Sequence, residues 1–146
     1  MLKYKLNSDS PERTDKIGMA IGRQLKGKDI ICLMGELGAG KTTLIKGIAR
    51  GAGVKENVSS PSFKLINEYE GTVPFYHFDL YRLGGINDIR ELGYREYFYG
   101  GGITVVEWAE KLKLLLPEER MEIYLTYVDD STREMEIRSP RALKLK

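Results

Sequence analysis

At 146 residues the chain has the length of one domain, with room for a single core that buries roughly 68–70% of the unfolded surface. Charged residues make up 30% of it but nearly cancel to a net +2, which excludes the strong basic field of a protein that grips nucleic acid along its surface. No apolar run approaches about 18 residues, the N-terminus lacks a signal-peptide pattern, and the lone Cys32 forbids an intrachain disulfide, so the expectation is a soluble chain of the reducing cytoplasm with no membrane contact.

The first element is LKYKL, residues 2–6, whose apolar–polar alternation predicts an edge or half-buried strand. Residues 7–10 then offer helix caps, with Pro11 at a first helical position, and a helix follows with Ile17, Ala20, Ile21 and Leu25 inward and Gly27 as its stop. DIICLM, residues 29–34, is an apolar run of strand length, and Cys32 within it reads as a small core residue rather than a nucleophile.

Residues 35–43, GELGAGKTT, fit G-x-x-x-x-G-K-[ST], with Gly35, Gly40, Lys41 and Thr42 at the fixed positions. A helix follows, with Leu44, Ile45, Ile48 and Ala49 on one face. Strand, glycine turn and helix together predict a phosphate-binding loop. Gly38 and Gly40 let successive backbone N–H groups turn inward as an anion nest, and the helix start adds its unpaired amides and positive dipole end. The expected nucleotide contacts run through Glu36, Leu37, Gly38, Ala39, Gly40, Lys41, Thr42 and Thr43. Lys41 supplies a point charge for the β- and γ-phosphates, and the Thr42 hydroxyl is suited to ligate Mg²⁺.

Past this helix, GAGVKENVSSPS is loop chemistry. FKLINEY and VPFYHFD read as two strands joined by a turn at Glu70 and Gly71, and residues 84–93 as a short helix with Ile86, Ile89 and Leu92 inward. An aromatic cluster, Tyr94, Tyr97, Phe98 and Tyr99, precedes three consecutive glycines. ITVVE is a strand ending in Glu107, AEKLKLLL a helix stopped by Pro117, and MEIYLTYV with EMEIRS an antiparallel hairpin. Mixing βα units with hairpins predicts an α/β chain: one P-loop NTPase domain over residues 1–146, with a mixed, mainly parallel central sheet flanked by helices.

A phosphate loop needs an acid at the end of a neighbouring strand to hold the metal. Asp79 closes FYHFD and Glu107 closes ITVVE, so both would emerge at the ligand edge of a parallel sheet. Asp79 is the shorter and better suited to tight coordination, whereas Glu107 has the reach to orient or deprotonate water; base and metal ligand both stay open for it. Trp108 follows directly, as a core or partner-facing residue or a stacking platform. His77, two residues before Asp79, shares its face and reads as a structural hydrogen-bonding residue more readily than a catalytic one. Arg82 suits phosphate, a partner or a surface ion pair. The N-K-x-D guanine motif is absent, which argues against a Ras-like GTPase, and no arginine-rich lid of a small-molecule kinase is evident.

These stretches resemble the bacterial TsaE family of tRNA threonylcarbamoyladenosine biosynthesis. The likeness is carried by GELGAGKTT, VSSPSF at 58–63, HFDLYR at 77–82 and VEWAEK at 106–111, in that order. It implies an ATPase using ATP and Mg²⁺ that supports the TsaB–TsaD complex in modifying tRNA beside the anticodon, meeting tRNA only indirectly. It also implies phosphate and metal roles for Lys41 and Thr42, a Walker-B-like role for Asp79, and catalytic-side roles for Glu107 and Trp108. Lys41, Asp79 and Glu107 are thus the expected catalytic set, and Thr42, Asp79 and Glu107 the expected metal set. Ser62 stands where the family often has Thr, keeping the hydroxyl for a switch-like contact. A nucleotide-gated interaction module, suggested by the tyrosines between Tyr81 and Tyr99, is the alternative reading; a small-molecule kinase is the third.

Overall fold

The structure, a computed structural model, describes residues 1–35, 40–56, 58, 66–81, 90–91, 93–112 and 115–145. Strands β1 (Leu2–Ser8), β2 (Ile30–Gly35), β3 (Ile66–Tyr69), β4 (Phe75–Asp79), β5 (Ile103–Glu107), β6 (Met121–Tyr127) and β7 (Arg133–Ser139) form one sheet in the order β1-β7-β6-β2-β5-β4-β3. β2 pairs in parallel with both β5 and β6, and β4 in parallel with β5. The pairs β1–β7, β6–β7 and β3–β4 are antiparallel. The sheet is therefore mixed, with a parallel centre and antiparallel margins, as the order of βα units and hairpins predicts.

Burial follows position. Every residue of β5 and the first four of β2 are buried, because these central strands are covered on both faces. β6 and β7 instead bury alternate residues, Met121, Ile123 and Leu125 opposite Met135 and Ile137, which is the half-covered pattern of an antiparallel margin. β1 takes the expected edge position.

One face of the sheet is covered by α1 (Pro11–Arg23) and α2 (Lys41–Gly51), which bring Ile17, Ile21, Leu44, Ile45 and Ile48 onto Ile31, Leu33, Val105 and Ile123. The Ser10 hydroxyl caps α1 by accepting from Arg13 N at 3.1 Å, with Pro11 in the first turn. α1 stops at Arg23, so Leu25 lies beyond the helix and is half-buried. On the other face, α3 (Tyr94–Phe98) sets Tyr94 and Phe98 against Cys32, Phe78 and Val106. Burial pushes the Cys32 thiol up to about 12, as expected of a core residue.

The two long helices meet through glycine. A Cβ on Gly18 or Gly22 of α1 would lie 2.7 Å from Leu44 O or 2.1 Å from Ile48 O, and one on Gly47 or Gly51 of α2 would lie 2.5 Å from Asp15 O or 2.3 Å from Met19 O. Backbone therefore touches backbone along the contact, and an Arg50–Asp15 ion pair spans it. This closeness fixes where the start of α1 stands relative to the start of α2.

Two expectations change. In place of a regular helix, the described residues of AEKLKLLL show a 3-10 turn over Ala109–Lys111 and 3-10 conformation at Leu115, because Trp108 enters the stretch in a left-handed conformation (φ 61°) that does not lead into a regular helix. The turn between the strands of the β3–β4 hairpin spans residues 70–74 rather than Glu70 and Gly71 alone. Of the expected helix over 84–93, Arg90 and Glu91 are helical and the positions 84–89 and 92 lie outside the described residues, as does the first part of FKLINEY.

Candidate functional site

β2, β4 and β5 run in one direction, so their C-terminal ends open on the same edge of the sheet. Register sets Asp79 directly opposite Glu107 on adjacent strands, and Leu33 of β2 opposite Glu107 on the other side. At that edge β2 gives way to α2. Gly40 caps the helix at φ 92°, a conformation that suits glycine, and no side chain caps the helix start. The first-turn amides of α2 thus face the edge where both acids end.

Lys41, the first residue of α2, is 6% exposed. Its Nζ donates to Gly35 O at 2.9 Å and lies 3.9 Å from the centre of the Trp108 ring. Burial lowers its pKa, and Glu107, then Glu110, then Asp79 oppose that shift. The acids thus lie near enough to be felt at the ammonium. The left-handed turn at Trp108 breaks strand alternation, and so the indole comes back to Lys41 although its neighbour Glu107 ends at the same edge. Tyr81 leans on the indole with ring centres 5.0 Å apart and is 49% exposed.

Glu107 is buried, and its Oε2 is 3.1 Å from Nε2 of His77, itself buried. Asp79 is half-buried, and its Oδ1 accepts from Tyr81 N at 3.1 Å, which holds the strand-end turn. Thr42 is exposed on the first turn of α2 and Thr43 half-buried beside it. The structure therefore brings Gly40, Lys41, Thr42, Thr43, Asp79, Glu107 and Trp108 to one edge. Glu36, Leu37, Gly38, Ala39, Ser62 and Arg82 lie outside the described residues. Among the described residues no group of three His, Cys, Asp or Glu side chains forms a ready metal cage. A hydroxyl and two carboxylates, with other oxygens from water or phosphate, instead suit a hard ion such as Mg²⁺.

Sequence reasoning passed over one part of this edge. A cleft lined by Ser10, Pro11 and Thr14 at the start of α1, and by Ser131 and Arg133 of the β6–β7 hairpin, opens directly on Gly40 and Thr43. The Arg133 guanidinium is held there by Asp129 O at 2.6 Å and lies 4.6 Å from the Tyr127 ring centre. Nothing local in the hairpin sequence signals this; only the close α1–α2 contact and the β6–β7 pairing assemble it. The repeated four-residue spacing of Gly18 and Gly22, and of Gly47 and Gly51, was the one available hint.

A central parallel strand leading through a glycine-capped helix start to a buried lysine, with acids closing the adjoining strands, defines a P-loop NTPase fold. The family described as threonylcarbamoyl adenosine biosynthesis protein TsaE matches residues 8–135. The chain is 40% identical over 136 residues to the tRNA threonylcarbamoyladenosine biosynthesis protein TsaE of Bacillus subtilis (strain 168), covering 92% of this chain and 85% of that one. It is 38% identical over 130 residues to the protein of the same name from Treponema pallidum (strain Nichols), covering 89% and 96%. The crystal structure of Bacillus subtilis YdiB superposes with a TM-score of 0.75 at 36% identity, covering 93% of this chain and 84% of that one. This chain belongs to the TsaE family of tRNA threonylcarbamoyladenosine biosynthesis proteins.

Proposed function

We propose that this chain is an Mg²⁺-dependent ATPase of the cytoplasm whose cycle supports a TsaB–TsaD complex in modifying tRNA next to the anticodon. One observation carries the reading: a buried lysine at a helix start with no side-chain cap, within electrostatic reach of two strand-end acids. Such an ammonium is held by a carbonyl and an indole, both neutral, and a polyphosphate oxygen outcompetes either.

In this reading the α2 amides and Lys41 bind the β- and γ-phosphates and stabilise the charge that develops on them. The cleft beside Gly40 and Thr43 takes the nucleoside, between the start of α1 and Arg133. Thr42 and Asp79 would hold Mg²⁺, which when bound supplies further charge neutralisation at the phosphate oxygens. Glu107 orients the attacking water in line with the γ-phosphate. Water supplies the oxygen of the new P–O bond, its proton is released, and ADP leaves with the electron pair of the broken bond.

Lys41→Ala removes the group on which the reading rests and should abolish phosphate release; undiminished turnover in that variant refutes the assignment. Glu107→Gln should bind ATP normally by calorimetry yet hydrolyse it poorly. A nucleotide-gated partner contact is favoured by exposed Tyr81 against Trp108, which links a surface ring to the phosphate lysine. Co-purification with TsaB–TsaD under ATP, ADP and no nucleotide tests it: equal recovery in all three conditions rules gating out.

A further inference from the structure

His77 is the only histidine in the chain and one of its most deeply buried polar residues, at 1% exposure. It lies on β4, two residues before Asp79, and so shares the face on which Asp79 and, from β5, Val105 and Glu107 project. Its Nε2 is 3.1 Å from Glu107 Oε2, and its Nδ1 has no hydrogen-bond partner among the described residues. A buried imidazole with one nitrogen unpaired is a poor core residue, since an apolar side chain of similar size would fill the space without an orphaned polar atom. What the imidazole contributes that an apolar residue cannot is the bond to Glu107.

The direction of that bond follows from chemistry. A glutamate carboxylate only accepts, so Nε2 carries the proton and donates to Oε2. A glutamate side chain has three rotatable torsions to be fixed. Fixing Oε2 against a ring that is itself locked in the core removes that freedom.

We propose that His77 is a positioning residue: it clamps one oxygen of Glu107 so that the other is held in line for the attacking water. The catalytic consequence rests on the ATPase reading above, whereas the clamp itself does not. His77 has no assigned contact with nucleotide, and its effect is transmitted through Glu107 alone.

Untagged full-length protein provides the test, because the sole imidazole gives one set of ¹⁵N resonances. The expected spectrum has Nε2 protonated, with its proton moving upfield in Glu107→Gln as a charge-assisted bond becomes a neutral one. A bare Nε2, or a resonance indifferent to Glu107→Gln, overturns the clamp whether or not the protein hydrolyses ATP. In kinetics, His77→Leu should lower kcat roughly ten- to a hundredfold while calorimetric ATP affinity stays within about twofold. His77→Gln, whose amide nitrogen reaches close to the Nε2 position, should restore most of the rate. In a Glu107→Gln background His77→Leu should cost nothing further, since no carboxylate then remains for it to position. An equal loss in both backgrounds, or no loss in either, refutes the positioning role. Should His77→Leu fail to fold, His77→Gln and the spectrum of the native chain decide. A parent protein that binds no ATP would sink the ATPase reading, leaving the clamp to be judged by the resonances.

Discussion

Gly22→Ala adds one methyl group where α1 crosses α2, and its cost can be worked from the contact. The new Cβ would sit 2.1 Å from Ile48 O and 2.9 Å from Ile48 C, both main-chain atoms of a buried helix. Carbon and oxygen settle at about 3.3 Å or more, so the helices must part by roughly 1 Å. Overpacking of this kind costs about 3 kcal/mol at its upper end, offset by about 1 kcal/mol from the better helix propensity of alanine. The net loss is about 2 kcal/mol, a fall of about 6 °C in melting temperature for a chain of this length. Scanning calorimetry measures it, with Gly101→Ala as control because a Cβ there meets nothing within 4 Å. The same displacement moves the start of α1 away from Thr43, so nucleotide affinity should fall with stability. A Gly22→Ala protein melting at or above the parent would refute the reasoning, since helix propensity would then outweigh a contact that is not so tight.

Trp108 is the sole tryptophan and lies against Lys41, so its emission should shift on ATP binding and in Lys41→Ala; a spectrum unchanged by both removes the indole from the site. Cys32 is fully buried with its thiol pushed up to about 12, so alkylation at pH 8 should require unfolding; rapid labelling of the native protein contradicts the core assignment. Because the folded thiol titrates above its unfolded value, its stabilising contribution is complete below about pH 9 and declines as pH rises toward 12. Urea midpoints of parent and Cys32→Ala should therefore converge across that window, and parallel curves would deny the shift. Ile21→Ala, emptying a fully buried site between α1 and the sheet, should cost about 2–5 kcal/mol by urea denaturation, and a loss within experimental error would contradict that packing.

The sequence by itself determined what depends on near neighbours along the chain. Alternation in MEIYLTY, the short apolar runs of ITVVE and β2, and the helical spacing of Leu44, Ile45 and Ile48 are local patterns, and each became the element it predicts. Glycine at position 40 and lysine at 41 carried the phosphate-loop reading for the same reason, because the conformation and charge needed there reside in single residues. Asp79 and Glu107 were legible as strand ends, and parallel pairing then set them side by side. Tertiary structure decided what depends on residues distant in sequence. His77 meets Glu107 across thirty positions only through the β4–β5 register. Trp108 returns to Lys41 because one backbone angle departs from the strand. The cleft between Pro11, Thr43 and Arg133 exists only because glycines let α1 and α2 touch while the hairpin adds to the far side of β2. A local pattern fixes the conformation of a segment; which side chains meet is settled by the collective free energy of packing segments together.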